Sequence, residues 1–332
     1  MSDHLTVTEA RPDQITDEWC RLLAASEHPL PFQHPTWHAT WWSVFGEGAT
    51  PLLLAVRDGE RLVAVAPMMR QDDRVAFATD PEICDYMDFV VAPDAPDGVY
   101  DALLGALGER AWRGLTLWGL PEDARSVAAM SEAAARRGWQ AEEEFEAVCP
   151  RIALPGEWDA YLASLTKKDR HELRRKMRRF SEAGAGMAVF TLHTPEEVAA
   201  GLDDFIRLHT ASRHDKREFM TPVMERFFRS MATALAAHGL VRLFFVELDG
   251  KRVAGLLAFD TGTELLLYNS GYDPAYAHAS VGLVSKALAL QQAITSGKRV
   301  FDFLRGAEPY KYDMGAKDLE VHTLTITRPA AP

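Results

Sequence analysis

The chain has three cysteines in 332 residues, Cys20, Cys84 and Cys149. They are scattered and none stands in CxxC spacing, so neither a disulfide framework nor a zinc site is expected. No apolar run reaches the ~20 residues that a membrane-spanning helix needs. The segment Met1 to Ala10 carries Asp3 and Glu9 and lacks the basic-then-apolar build of a secretory leader, so the chain reads as cytoplasmic. Basic residues are in the minority: 36 Lys and Arg against 48 Asp and Glu leave a net charge of −12. That balance argues against a nucleic-acid coat, though not against a local basic face. The remaining composition, 47% hydrophobic and 25% charged, is that of an ordinary globular protein long enough for two domains.

Apolar periodicity and turn residues predict alternating helices and strands. Helices are expected over Trp37–Phe45, Val99–Trp112 and Ser126–Arg137, with strands over Pro51–Val56, Leu62–Met69, Tyr86–Val91 and Leu115–Leu120. The second half repeats the order, with helices over Pro222–His238 and Leu283–Thr295. Its strands are expected over Val241–Leu248, Val253–Phe259, Leu265–Ser270 and Val300–Leu304, closed by Val321–Thr327. Both halves carry a hairpin signal, Asp58-Gly59 and Asp249-Gly250, each followed by an Arg two positions past the Gly and then an apolar pair. The same hairpin inside the same order points to a duplicated fold, against the plainer reading of two common hairpins. The expected division is 1–145 and 146–332.

Between the halves, Lys167 to Phe180 holds eight Lys or Arg against two acids. Leu173, Met177 and Phe180 fall at i, i+4 and i+7, so one stripe docks while the other faces stay basic. Such a face attracts phosphate-bearing partners, unless it merely pairs with the protein's own acids.

Near the C-terminus an apolar run, Val300 to Leu304, ends in Arg305, Glu308, Tyr310 and Lys311. A buried strand has no need of two cations, a carboxylate and a phenol just past its end, and chemistry gathers where strands of α/β folds end. Upstream, Tyr268 to Asp273 ends a strand and Ala279-Ser280-Val281-Gly282 opens a helix. Free amides at a helix start, with the helix dipole, favour a pyrophosphate. Ser280 is equally suited to be a simple N-cap.

Several stretches together resemble the CelD-like acetyltransferases of the GCN5-related N-acetyltransferase (GNAT) superfamily, relatives of the Fem-type aminoacyl transferases. They are Pro31–Trp37, Cys84–Phe89, the basic helix from Lys167, Leu208–Arg213, Tyr272–Pro274 and, most specifically, Phe301–Lys311. The likeness spans nearly the whole chain. Ala277–Gly282 departs from the superfamily's Arg/Gln-x-x-Gly-x-Gly/Ala loop and keeps only its last glycine.

The resemblance implies an α/β fold with a mixed sheet, built as two tandem GNAT-like domains, the first degenerate. It implies an acyl-CoA-dependent N-acyltransferase, with acetyl-CoA or another acyl-CoA at Ala279, Ser280, Val281, Gly282 and Leu283 and no metal. The acceptor is expected to be an amine on a small molecule, glycan or peptide. Direct transfer needs a base, a polarised thioester and a proton for the thiolate, and no covalent nucleophile. Glu308, its pKa raised by burial, is the first candidate base and His209 the second. Tyr310 is suited to protonate the thiolate, and Lys311 and Arg305 to hold an anionic acceptor or polarise the carbonyl. Asp85, Tyr86, Asp88 and Arg213 are candidate acceptor contacts. Two rival readings are an aminoacyl-tRNA-dependent transferase that uses the basic helix, and a non-catalytic binder of an anionic glycan or nucleotide.

Overall fold

Asp-Gly turns flanked by apolar runs set the two central hairpins of the protein. A computed structural model describes residues 5–183 and 186–329; residues 1–4, part of the segment read for a leader, lie outside them. The chain divides into two units, Met1–Ala147 with Leu319–Pro332, and Val148–Asp318.

The first unit runs β1 (Leu5–Glu9), α1 (Pro12–Ala25), α2 (Pro35–Phe45), β2 (Thr50–Asp58), β3 (Arg61–Gln71), β4 (Arg74–Phe77), β5 (Val90–Val91), α3 (Val99–Gly108), β6 (Gly114–Pro121) and α4 (Arg125–Arg136). Strand β7 (Gln140–Ala153) leads into the second unit. There follow α5 (Trp158–Ser164), α6 (Lys167–Ser181), β8 (Met187–Leu192), α7 (Pro195–Ser212), α8 (His214–Phe219), α9 (Pro222–Ala236), β9 (Val241–Leu248) and β10 (Lys251–Asp260). The chain ends with β11 (Glu264–Tyr272), α10 (Val281–Thr295), β12 (Val300–Asp302), α11 (Pro309–Asp313) and β13 (Lys317–Thr327).

The two units repeat one topology. In the first, β1, β2, β3 and β4 pair antiparallel in turn and β4 pairs β6 in parallel. In the second, β8, β9, β10 and β11 do the same and β11 pairs β12 in parallel. Each central hairpin carries a register shift a few residues past its turn. The turns differ in detail: Asp249 and Gly250 both have left-handed backbone (φ 51° and 73°), as a type I′ turn requires, whereas in the first hairpin only Gly59 does. The expected boundary needs one correction. Residues from Leu319 onward belong to the first unit, because β13 pairs antiparallel with β6 from Val321↔Pro121 to Thr327↔Gly114.

Two other expectations fail for local reasons. Of the strand expected over Tyr86–Val91, only Val90–Val91 joins a ladder. Before it, the Met87 amide donates to Gly119 O and the Phe89 amide to Asp88 Oδ1, so these groups are satisfied without strand pairing. The helix expected to reach Trp112 stops at Gly108, and the Trp112 indole N–H donates to Leu107 O near that end.

In the second unit, α7 and α10 bury their apolar faces against the sheet, with Phe205, Leu208, Ala287 and Leu290 fully covered. Each such leucine or phenylalanine contributes roughly 1.5–3 kcal/mol. The approach of α7 to β11 is close enough to demand a glycine: a Cβ on Gly271 would lie 2.3 Å from the backbone of His209.

Candidate active site

Strand β12 ends at Asp302, opposite Leu266, but β11 continues through Leu267 to Tyr272. Beyond residue 266 that side of β11 is no longer paired with β12, and a cavity of about 520 Å³ opens there. Its walls come from β11, the start of α10, the loop after β12, α11, α8 and one side chain of α6.

The loop after β12 is tightly tied. Phe303 and Leu304 were expected to extend the strand, but Leu304 turns to φ 55°, and the buried Asp302 carboxylate accepts its amide at 2.7 Å. Gly306 follows at φ 112°, where a Cβ would meet the Glu308 carboxylate at 2.7 Å. Lys311, 2% exposed, donates to the carbonyls of Leu304 (3.0 Å), Arg305 (3.0 Å) and Gly306 (2.8 Å) and lies 2.9 Å from Glu308 Oε2. Its three donors are therefore spent inside the protein, which leaves it a positioning residue rather than an acceptor ligand.

Glu308 lines the cavity half-buried. Burial acts to raise its pKa, but the hydrogen bond and charge of Lys311, helped by Arg213, outweigh it, and the carboxyl lies below its usual value. The expectation of a raised Glu308 is thus reversed. Tyr310 packs edge-on against Phe303 at 5.9 Å, and burial pushes its phenol well up, so it keeps its proton.

The cavity gathers Arg213, Ser280, Gly282, Leu283, Arg305, Glu308, Tyr310 and Lys311 from the expected residues. It leaves out six others. Ala279 and Val281 are buried in the core with Phe180 and Val284, because consecutive residues around a helix start point in different directions. His209 is buried behind the wall: its Nε2 is 2.9 Å from Oδ1 of Asn269, which does line the cavity. An amide oxygen only accepts, so Nε2 carries the proton, and burial followed by the charge of Lys216 lowers the ring's pKa to about 4. Such a ring positions Asn269 and is no base. Asp85, Tyr86 and Asp88 belong to the first unit. Tyr86 is buried, and Asp88 lines a separate cavity of about 530 Å³ at the start of α3.

At the start of α10, Ser280 has φ 59° and its side chain makes no cap. Leu283 and Val284 donate their amides to Ser280 O, while Val281 and Gly282 precede them. The Tyr272 ring lies against Gly282, 2.9 Å from where a Cβ would stand.

Two cavity residues escaped the sequence reading. Lys216 on α8 donates to Ser270 O, and Lys286 on α10, 8% exposed, donates to Gly282 O at 2.9 Å and stands 5.1 Å above the Tyr310 ring. Burial first, then neighbouring cations, lowers Lys216 to about 8 and Lys286 to about 7. Lys286 lies four residues past Gly282, within a run that reads as plain amphipathic helix, so only the folded cavity reveals it. With Lys176, Arg213, Arg305 and Lys311, six cations face one carboxylate, Glu308, in a protein of net charge −12.

The profile of the acetyltransferase (GNAT) domain family matches residues 167–312. Residues 167–312, within the second unit, therefore carry the GNAT-domain pattern. No curated protein matches in sequence. The fold of the whole chain is similar to a solved structure of FemX (12% identity, 96% of each chain, TM-score 0.67). It is also similar to the C-terminal domain of a putative lysylphosphatidylglycerol synthetase from Agrobacterium fabrum (12%, 96% and 94%, TM-score 0.61). A tandem GNAT protein from the clavulanic acid biosynthesis pathway matches over 98% of this chain and all of its own (14%, TM-score 0.53). The chain has the fold of two tandem GNAT-like acyltransferase units, related to that of the Fem-type proteins. No helix among the described residues is long and apolar enough to cross a membrane.

Proposed function

We propose that the protein is an acyl-CoA-dependent N-acyltransferase whose donor occupies the cavity of the second unit. The observation that carries this reading is the cavity itself: an unpaired side of β11, a helix start, and six cations facing one carboxylate. An extended, amide-bearing arm can pair with β11 where β12 has ended, and its phosphates meet the helix start and the cations. Glu308, held ionised by Lys311, accepts the proton of the attacking amine. Tyr310, which keeps its proton, donates to the departing thiolate. The cysteines are not needed: Cys84 and Cys149 are buried, and neither lines this cavity.

The test is calorimetric titration of the full chain with acetyl-CoA, longer acyl-CoAs and CoA, followed by turnover against amine acceptors. Saturable binding of an acyl-CoA and transfer to an amine are expected; absence of both removes the reading.

A second reading, donor supply by aminoacyl-tRNA, is favoured by α6. With Leu173, Met177 and Phe180 docked, the helical period puts Lys176 on the cavity flank and Lys167, Arg170, Arg174 and Arg178 on the opposite one. Arg174 and Arg178 are exposed. Replacing these four by Gln should flatten the salt dependence of tRNA binding if that reading holds, and leave acyl-CoA affinity unchanged.

A further inference from the structure

Lys216 and Lys286 stand apart from the other lysines of the cavity. Lys311 faces Glu308 at 2.9 Å and Lys176 lies 3.5 Å from Glu172, while Arg213 meets Asp215 at 2.9 Å. Lys216 and Lys286 form no ion pair with a carboxylate among the described residues; each donates to one backbone carbonyl, Ser270 O and Gly282 O. An ammonium has three donors, so each lysine keeps two for a ligand. Both line the cavity, one from α8 and one from α10. The Lys286 side chain folds back one turn, as long side chains on helices do, and so carries its charge to the Gly282 carbonyl in the first turn of α10. The Tyr272 ring against Gly282 crowds the backbone there, and a side-chain ammonium reaches past it.

The two groups are also mutually unfavourable when the cavity holds no anion. Lys286 feels burial most, then the charge of Lys216, with Glu308 opposing and Lys311 adding to the effect. Lys216 feels burial, then Arg213, against Asp215 and Glu308. An anion between the two would relieve their repulsion and draw protons onto them.

We propose that Lys216 and Lys286 are the two arms of a clamp for a phosphate-class oxyanion in this cavity. The clamp itself does not depend on which substrate carries the phosphate; its assignment to the diphosphate of the donor rests on the functional reading above. It extends that reading by supplying from side chains the positive charge for a diphosphate beside a segment, Ala277–Gly282, that contains a single glycine.

The probes are inorganic pyrophosphate, dephospho-CoA and pantetheine, titrated into the full chain by calorimetry. Pyrophosphate should bind, and Lys216→Met and Lys286→Met should each weaken it by about 10-fold or more, while Lys286→Arg stays within a few-fold. Wild-type binding of dephospho-CoA near pH 8, measured in two buffers of different ionisation heat, should show net proton uptake and should weaken toward about pH 9. This measurement decides if a Met variant fails to fold. No pyrophosphate binding, equal affinity in folded Met variants, or dephospho-CoA binding without proton uptake would overturn the clamp. Displacement of pyrophosphate by dephospho-CoA but not by pantetheine assigns it to the donor. Lysine-dependent pyrophosphate binding without such displacement keeps the clamp, assigns it to the acceptor's anion and removes the donor reading of this cavity.

Discussion

Lys311 Nζ lies 2.9 Å from Glu308 Oε2 while it also closes hydrogen bonds to the carbonyls of Leu304, Arg305 and Gly306. One buried ammonium thus holds the left-handed turn at Leu304 and keeps the carboxylate of the next turn ionised. The expected result of Lys311→Met is loss of both. With three carbonyls left without their donor, stability should fall by about 2–4 kcal/mol. The Glu308 pKa should rise, because burial remains when the compensating charge is gone. Chemical denaturation and the pH–rate profile check the two effects. An unchanged unfolding midpoint would mean that the loop does not depend on the ammonium.

Glu308→Gln removes the proposed base and preserves its shape. Turnover should drop by about 10²–10³-fold with donor affinity nearly intact. In the wild type the carboxyl is depressed, so it stays deprotonated, and active as a base, down to below its ordinary pKa. A fall in rate near neutral pH then belongs to another group, with Lys286 and the acceptor amine the candidates. If the Gln variant retains wild-type turnover at every pH, Glu308 is not the base.

The duplicated order, both hairpins and the gathering of Arg305, Glu308, Tyr310 and Lys311 could be read from the sequence. Each rests on a local signal: a turn dipeptide, an apolar period, or charges just beyond a strand. The role of Lys311 could not be read, since nothing local states that its donors reach back to residues 304–306. Nor could the depressed Glu308, which depends on the balance between burial and a neighbouring cation. Lys216 and Lys286 lie 70 residues apart in the chain, on different helices, and come to one site only across the folded cavity. His209 failed as a base because its neighbours desolvate it, a fact of packing that a sequence period does not carry.

Gly271→Ala tests the contact between α7 and β11. The new methyl would stand 2.3 Å from His209 N and Cα, and a helix backbone cannot turn aside as a flexible side chain would. The helix must move outward, at a cost of about 3 kcal/mol or more. That shift should also part His209 from Asn269 and alter the cavity wall. Gly255→Ala, whose Cβ would lie 3.1 Å from the Phe245 ring, should cost less because a ring can tilt. Equal unfolding midpoints for the two variants would contradict the close approach.

Asp88 gives the first unit a pH-dependent weakness. Burial pushes its carboxyl up to about 7, against the opposing effects of the Ser126 hydroxyl and the Phe89 amide, and Asp123 adds to the rise. Below about pH 4 the group is protonated in both folded and unfolded chains and makes no difference. As pH rises from there, the unfolded chain releases this proton first. The folded state then holds more protons than the unfolded one, and stability falls until the folded carboxyl ionises near pH 7. Above that the loss is complete and constant. Asp88→Asn fills the same space, still offers an oxygen to the Phe89 amide and cannot ionise. It should therefore remove this part of the pH slope, raising stability at about pH 8 relative to wild type by about 1–3 kcal/mol and changing little at about pH 4. Scanning calorimetry across that range, with hydrogen exchange at the Phe89 amide to report on the first unit, measures the difference. Parallel stability curves for the two proteins would show that Asp88 is solvated and ordinary.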